Sequence, residues 1–205
     1  MKRILCVMLL MTAALLATAM AEEGKTLVVY FSMPEDVELN GVDAIGGASV
    51  LEKDGVRYGN LEYVAKLIAG RIGADLWQIE TEQQYPLEHE ALLDFAAEEQ
   101  DEQARPALVG RIENLDQYDR IFLGFPNWWY DLPMPLYAFL ESYDFSGKEI
   151  VPFVVHGGSG FSDAVETIDD LQPDADVSQN GLSISRNSVA DCEAKVVQWI
   201  EGLDK

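Results

Sequence analysis

Residues 120–135 read RIFLGFPNWWYDLPMP, an apolar run followed by an aromatic segment between prolines. A short apolar run that ends at glycine and proline predicts a strand buried in a parallel sheet. Trp128 and Trp129 then fall on the loop at the carboxyl end of this strand, where open α/β sheets bind ligands. Two adjacent indoles there form an apolar wall suited to a flat heteroaromatic ring. Capping of the sheet edge, or contact with a protein partner, is the alternative role for this pair.

The chain around this stretch alternates strand-like and helix-like segments. Such alternation predicts an α/β fold in which helices cover both faces of a parallel sheet. The predicted strands are residues 26–31, 76–80, 120–124, 150–155 and 182–185. Apolar periodicity and the alternation predict helices at residues 61–72, 87–103, 135–142, 162–171 and 189–200. Right-handed crossovers would join these elements into one three-layer sandwich.

Residues 33–59 interrupt the alternation between the first strand and the first helix. Five glycines in this stretch make a helix unfavourable. Residues 50–58 predict a hairpin with Asp54 and Gly55 at its turn. An irregular segment of this length is usually functional or disordered. We therefore expect an inserted loop and hairpin at this junction.

The amino terminus has the pattern of a secretory signal peptide. Lys2 and Arg3 precede an apolar segment, and Ala19-Met20-Ala21 provides the small residues of a cleavage site. A retained membrane anchor is the alternative, but the apolar segment is shorter than the ~20 residues of a spanning helix. We expect residues 1–21 to be removed and residues 22–205 to form a single domain that is periplasmic or secreted, with no stable membrane insertion.

The composition is strongly acidic, with 36 acidic against 14 basic residues and a formal net charge of −22. A surface of this charge repels nucleic acid and anionic lipid headgroups. The same charge favours encounter with basic protein partners. We therefore expect no nucleic-acid partner.

Three loops at the carboxyl ends of predicted strands carry residue types that bind ligands. The first begins at Ser32 and returns at Asn60 and Leu61, where the start of a helix favours an anion. The second is the tryptophan segment. The third is residues 156–160, His-Gly-Gly-Ser-Gly, whose glycines allow close approach of a ligand to the backbone. Helix capping by Asn60 and a tight turn at the glycines are the alternative roles.

Together the three segments resemble the flavodoxin-like superfamily, in particular flavodoxin-related proteins with three motifs. These are Tyr-Phe-Ser at residues 30–32, Pro-x-Trp-Trp at 126–129 and His-Gly-Gly-Ser-Gly at 156–160. The resemblance implies a five-stranded parallel sheet of order 2-1-3-4-5 and a non-covalently bound FMN. It further implies electron transfer or quinone-type reduction as the activity.

The resemblance also assigns residues to parts of the flavin. Ser32, Asn60 and Leu61 map to the phosphate loop. The wall beside the isoalloxazine ring maps to Pro126, Asn127, Trp128 and Trp129, and the second flavin loop maps to Gly157, Gly158, Ser159 and Gly160. The chain departs from the family at the phosphate loop, because residues 33–59 are inserted and Leu61 replaces an expected threonine. The loss of that hydroxyl removes one hydrogen bond to phosphate.

The leading interpretation is an exported FMN-binding redox protein whose flavin transfers the electrons. No side chain need act as an acid or base, no metal site is expected, and basic redox proteins or quinones are the expected partners. The alternative is a flavodoxin-fold module that has lost FMN and binds another aromatic or protein ligand. His156 could reach a flavin edge or pack under the glycine turn, whereas His89 is expected on a solvated face.

Overall fold

A computed structural model describes residues 24–41 and 44–203. The predicted signal peptide lies outside these residues. Along the described chain the strands and helices are β1 (Lys25–Phe31), β2 (Ala44–Ile45), β3 (Val50–Lys53), β4 (Val56–Gly59), α1 (Asn60–Ile72), β5 (Asp75–Ile79), α2 (His89–Asp101), β6 (Tyr118–Pro126), α3 (Met134–Glu141), β7 (Glu149–His156), α4 (Ala164–Leu171), β8 (Asp176–Val177), β9 (Leu182–Ser185) and α5 (Glu193–Leu203).

The central sheet is parallel and has the strand order β5-β1-β6-β7-β8, with β9 also paired to β7. This arrangement confirms the predicted α/β flavodoxin-like class and its 2-1-3-4-5 order. The fifth position is shared by two strands, because β8 pairs with the start of β7 and β9 pairs with its end. The sequence predicted only β9, since a two-residue strand carries no periodicity.

Helices bury both faces of this sheet. Along β1, Leu27, Val29 and Phe31 pack in the cluster that contains α3 and α4, whereas Val28 and Tyr30 pack in the cluster that contains α1 and α5. Central strands covered on both sides read as continuous apolar runs, which explains the sequence pattern. The three-layer sandwich therefore leaves the ends of the sheet as the places where a ligand can bind.

Several predicted boundaries shift in the structure. The strand predicted at residues 120–124 extends from Tyr118 to Pro126, so Pro126 lies at the strand end. The helix predicted at residues 189–200 begins only at Glu193, because residues 186–191 form a 3-10 turn. The apolar periodicity continued through that turn since Val189 and Cys192 are buried in the same cluster as α5.

The insertion, residues 33–59, carries a small antiparallel sheet of order β2-β3-β4. The predicted hairpin is confirmed, and Asp54 and Gly55 at its turn have φ angles of 52° and 76°. Two positive φ values in a two-residue turn match the twist of a hairpin. Leu51 is fully buried against the α1 and α5 side of the sheet. The insertion is thus packed onto the domain. Within the described residues, no helix has the length and apolarity needed to cross a membrane.

Candidate functional site

A cavity of about 490 Å³ lies at the carboxyl ends of β6 and β7. This volume is in the usual range for small-molecule sites. The walls come from the insertion, from α2, from the tryptophan loop (residues 127–131), from the glycine loop (residues 157–160) and from Arg186. The lining residues are Met33, Glu35, Gly47, Ser49, His89, Leu92, Leu93, Ala96, Pro126, Asn127, Trp128, Trp129, Tyr130, Val155, His156, Gly157, Gly158, Ser159 and Arg186.

The structure brings most of the predicted site residues together at this cavity. Those that line it are Pro126, Asn127, Trp128, Trp129, Gly157, Gly158 and Ser159. Ser32, Asn60, Leu61 and Gly160 do not line it. The residues assigned to the flavin ring and the second flavin loop, apart from Gly160, therefore surround one space, whereas those assigned to the phosphate lie outside it.

The tryptophan loop is a tight turn that displays two aromatic rings. The backbone groups of Trp128 and Asp131 exchange hydrogen bonds of 3.1 and 3.0 Å across the turn. Trp129 and Tyr130 occupy its two central positions with φ angles of 49° and 70°. Left-handed backbone at non-glycine residues costs on the order of 1–3 kcal/mol each and is concentrated at functional sites. The chain retains this strain where it exposes the Trp129 and Tyr130 rings.

The two tryptophans differ in how they are held. The Trp128 ring packs edge-on against Phe31 at 5.5 Å between ring centroids, and its centroid is 5.9 Å from that of Tyr85. The Trp129 side chain is 49% exposed, and its Nε1 donates a hydrogen bond to the Leu93 carbonyl of α2 at 3.2 Å. Trp128 is thus anchored in the core, while Trp129 presents its ring at the rim.

A hydrogen-bonded pair, Tyr85 and Glu99, lies next to Trp128. The Tyr85 hydroxyl donates a hydrogen bond of 2.6 Å to Oε2 of Glu99. Burial raises the pKa of Glu99, and burial together with the adjacent carboxylate raises the pKa of Tyr85. The bond satisfies both polar groups inside an aromatic cluster and fixes the Tyr85 ring against Trp128.

Asn127 connects the two loops on either side of the cavity. Its Nδ2 donates to the carbonyl oxygens of Gly160 and Phe161 at 3.1 and 3.2 Å. Its Oδ1 accepts from the backbone N–H of Tyr130 at 3.1 Å. The side-chain amide is therefore occupied with protein groups, and Asn127 and Gly160 position the loops.

His156 packs under the glycine loop and also lines the cavity. Its Nδ1 accepts a hydrogen bond of 3.0 Å from the backbone N–H of Gly158, so the other ring nitrogen carries the proton of the neutral ring. Burial, with a smaller contribution from the charge of Lys195, lowers the pKa of His156. The ring is therefore neutral at pH 7.

The residues predicted for the phosphate loop are covered by the insertion. Ser32 and Asn60 are 6% and 1% exposed, and neither the Ser32 hydroxyl nor the Asn60 amide nitrogen has a hydrogen-bond partner. The first backbone N–H groups of α1 are occupied, because Gly59 donates to Oε2 of Glu62 and Asn60 donates to the Ser49 carbonyl. The Leu61 side chain is buried in the α1 core cluster. The unpaired donors suit an anion, but the insertion closes access to them.

Three charged or titratable residues of the cavity were not predicted as ligand residues. His89 was expected on a solvated face; its side chain is 45% exposed, but it lines the cavity and its Nδ1 lies 2.6 Å from Oε1 of Glu35. This contact joins α2 to the insertion. Arg186 follows β9 and reaches the cavity beside the glycine loop. No local sequence pattern could bring these residues together, since Glu35 and Arg186 lie far apart in the chain. Among the described residues, no group of three or more His, Cys, Asp or Glu side chains could hold a metal ion.

Residues 56–203 match a family model described as flavodoxin. The chain belongs to the flavodoxin family. This match begins inside the insertion and covers β5 to β9, the tryptophan loop and the glycine loop, whereas β1 lies before it. No curated protein matches this flavodoxin-family chain.

Solved structures share the fold of this flavodoxin-family protein. A candidate flavoprotein from Bacteroides eggerthii superposes with a TM-score of 0.66 at 23% identity over 89% of this chain and 99% of its own. A candidate flavoprotein from Bacteroides uniformis gives 0.65 at 28% identity, covering 87% and 98%. A flavoprotein from Lactobacillus acidophilus in complex with FMN gives 0.55 at 18% identity, covering 83% and 99%.

Proposed function

We propose that this chain binds FMN non-covalently in the cavity between the tryptophan and glycine loops and acts as a redox protein. The observation that carries the proposal is the cavity walled by Trp128 and Trp129 at the carboxyl edge of a flavodoxin sheet. The FMN complex of the Lactobacillus acidophilus flavoprotein, which shares the fold, supports the choice of cofactor.

The residues of the cavity fit a flavin ring. Trp129 offers an exposed indole for stacking, and apolar residues of α2, Leu92 and Ala96, lie on the lining as well. The glycine loop lacks side chains at Gly157 and Gly158, so its backbone can contact the ring edge. When bound, FMN supplies the electron transfer, and the protein orients the ring and limits its contact with water.

The negative net charge of the protein supports the proposed redox role. A net charge of −22 disfavours added negative charge on a bound flavin and attracts basic electron-transfer partners. Electron transfer to such a protein partner is therefore the proposed role. Reduction of a quinone would be the corresponding reaction with a small molecule.

We also propose that the protein is exported and works in the periplasm or outside the cell. The support is the basic and apolar pattern of residues 2–18, followed by the small residues Ala19 and Ala21. Amino-terminal sequencing of protein recovered from the cell exterior or periplasm should find a start near Glu22. Recovery of intact Met1 from membranes would contradict export.

The second candidate function is a flavodoxin-fold module that binds a different aromatic ligand. The observation that favours it is the closure of Ser32 and Asn60 beneath the insertion, since these residues are assigned to the phosphate. A module of this kind would keep the tryptophan wall and show no preference for FMN.

Titration of the purified protein with FMN separates the two candidates. FMN should quench tryptophan fluorescence, and the bound flavin should show a shifted absorbance spectrum. Trp129→Ala should weaken binding about fivefold, since one stacking contact is worth on the order of 1 kcal/mol. The matched control is Trp77→Phe, because Trp77 lies on β5 outside the cavity lining. A folded wild-type protein that leaves the FMN spectrum unchanged would contradict the FMN proposal and favour the second candidate.

A further inference from the structure

Arg186 differs from the other arginines of the described chain. Its guanidinium group makes no hydrogen bond or ion pair with any described residue. The others all donate to a protein oxygen: Arg57 to Glu35, Arg71 to Glu201, Arg105 to Glu141, Arg111 to Ser142 and Arg120 to Glu149. An arginine at a cavity wall that has no carboxylate partner among the described residues is available for an anionic ligand.

The guanidinium group of Arg186 lies beside the glycine loop. A Cβ atom added at Gly157 would be 3.5 Å from the guanidinium carbon, so the arginine side chain lies in van der Waals range of the glycine loop. The backbone of Arg186 contacts the insertion, because a Cβ atom at Gly46 would lie 2.9 Å from the Arg186 carbonyl oxygen. Arg186 therefore sits between the glycine loop and the turn at residues 46–49.

The same turn occupies the start of α1. The Ser49 carbonyl accepts the backbone N–H of Asn60 at 2.8 Å, and the Glu62 carboxylate accepts that of Gly59 at 3.1 Å. A phosphate at this helix end would have to displace one acceptor and approach a carboxylate, which repels it. Gly47 and Ser49 of this turn also line the cavity.

Among the described residues that line the cavity, Arg186 is the only lysine or arginine. Glu35 is buried and is paired with His89, whereas the guanidinium of Arg186 is always protonated. A guanidinium binds phosphate through two parallel hydrogen bonds. The cavity therefore has an apolar wall at the tryptophan loop and a cationic group at Arg186.

We propose that Arg186, beside Gly157 and the turn at residues 46–49, forms the anion subsite of this cavity and binds the flavin phosphate in place of the α1 terminus. The inference rests on the proposed FMN binding. It assigns the phosphate to a residue that neither the motifs nor the resemblance indicated. It also gives the insertion a role, because the insertion closes one anion site and borders the other.

The test compares FMN with riboflavin, which lacks the phosphate, in fluorescence titrations of the wild type and of Arg186→Gln. Wild type should bind FMN at least tenfold more tightly than riboflavin. Arg186→Gln should lose ten- to a hundredfold in FMN affinity and leave riboflavin affinity unchanged. Arg186→Lys should recover part of the loss, since lysine keeps the charge but not the two parallel bonds.

Two control variants decide where the phosphate binds. Arg71→Gln removes a surface arginine paired with Glu201, and it should leave both affinities unchanged. Ser32→Ala should also leave FMN affinity unchanged if the closed site is not used. If Arg186→Gln keeps the wild-type preference for FMN while Ser32→Ala loses it, the phosphate binds at the α1 terminus and the inference is wrong.

Two further outcomes distinguish this inference from the proposed function. If wild type binds neither flavin, the proposed function fails and the phosphate assignment fails with it. The other outcome is that wild type binds FMN and riboflavin equally, while the ³¹P signal of inorganic phosphate broadens with wild type and not with Arg186→Gln. The flavin proposal then survives. In that case Arg186 binds a free anion and the assignment to the flavin phosphate is overturned.

Discussion

Two regions at the same edge of the sheet are built in opposite ways. At the end of β1, the insertion covers Ser32 and Asn60 and occupies the first N–H groups of α1. At the ends of β6 and β7, the tryptophan and glycine loops leave a cavity and keep Trp129 half exposed. The comparison shows that an inserted segment can close one ligand loop of a flavodoxin sheet while its neighbours remain open.

The largest expected effect is a difference in stability between variants of the two tryptophans beside the open cavity. Trp128→Ala should lower the free energy of unfolding by about 3 kcal/mol, because it removes a ring packed on Phe31 and Tyr85. Trp129→Ala should change it by less than about 1 kcal/mol, since that ring is half exposed. Urea denaturation of both variants measures the difference. Equal losses would mean that both rings belong to the core.

The closed region is tested by Gly59→Ala. A Cβ atom at Gly59 would lie 2.4 Å from the Ser32 hydroxyl oxygen, so the substitution should cost about 2 kcal/mol of unfolding free energy through overpacking. Gly47→Ala is the matched control, because no atom lies within 4 Å of that Cβ position. The double variant Gly59→Ala, Ser32→Ala should recover most of the loss, as it removes the atom that clashes. A neutral single variant would indicate that the closed region opens in solution.

The strain in the tryptophan loop predicts a gain in stability. Tyr130 has a φ angle of 70° and an exposed side chain, so Tyr130→Gly should raise the unfolding free energy by about 1 kcal/mol. Tyr130→Ala is the control, since it removes the ring but keeps the Cβ atom and gains nothing. Thermal denaturation checks the pair. Equal melting temperatures would show that the turn holds no strain at this position.

The smallest expected effect is a pH dependence from the glycine loop. Burial lowers the pKa of His156, so the unfolded chain takes up the proton at a higher pH than the folded chain does. The stability that neutral His156 provides is full above its ordinary pKa of about 6.5 and is lost as the pH falls through the pKa of the folded state. NMR titration of a His89→Gln variant, which leaves His156 as the remaining histidine, measures this value. A midpoint at or above 6.5 would contradict the burial of the ring.

Much of this protein follows from local sequence patterns. The apolar runs predicted the long strands, the helical periodicity predicted α1, and Asp54-Gly55 predicted the hairpin turn. The position of the tryptophan and glycine loops at one sheet edge followed from the parallel topology. These features depend on short-range periodicity and on turn chemistry, which a single sequence records directly.

Tertiary structure alone decided which part of the sheet's carboxyl edge is covered by the insertion and which part is open to a ligand. The pairing of Glu35 with His89, the closure of Asn60 by Ser49 and the placement of Arg186 beside Gly157 join residues from different loops. No periodicity encodes such contacts, because they depend on how the insertion packs against α2 and the turn after β9. The sequence therefore determined the fold and the aromatic wall, while packing determined which polar groups are buried and which remain open to a ligand.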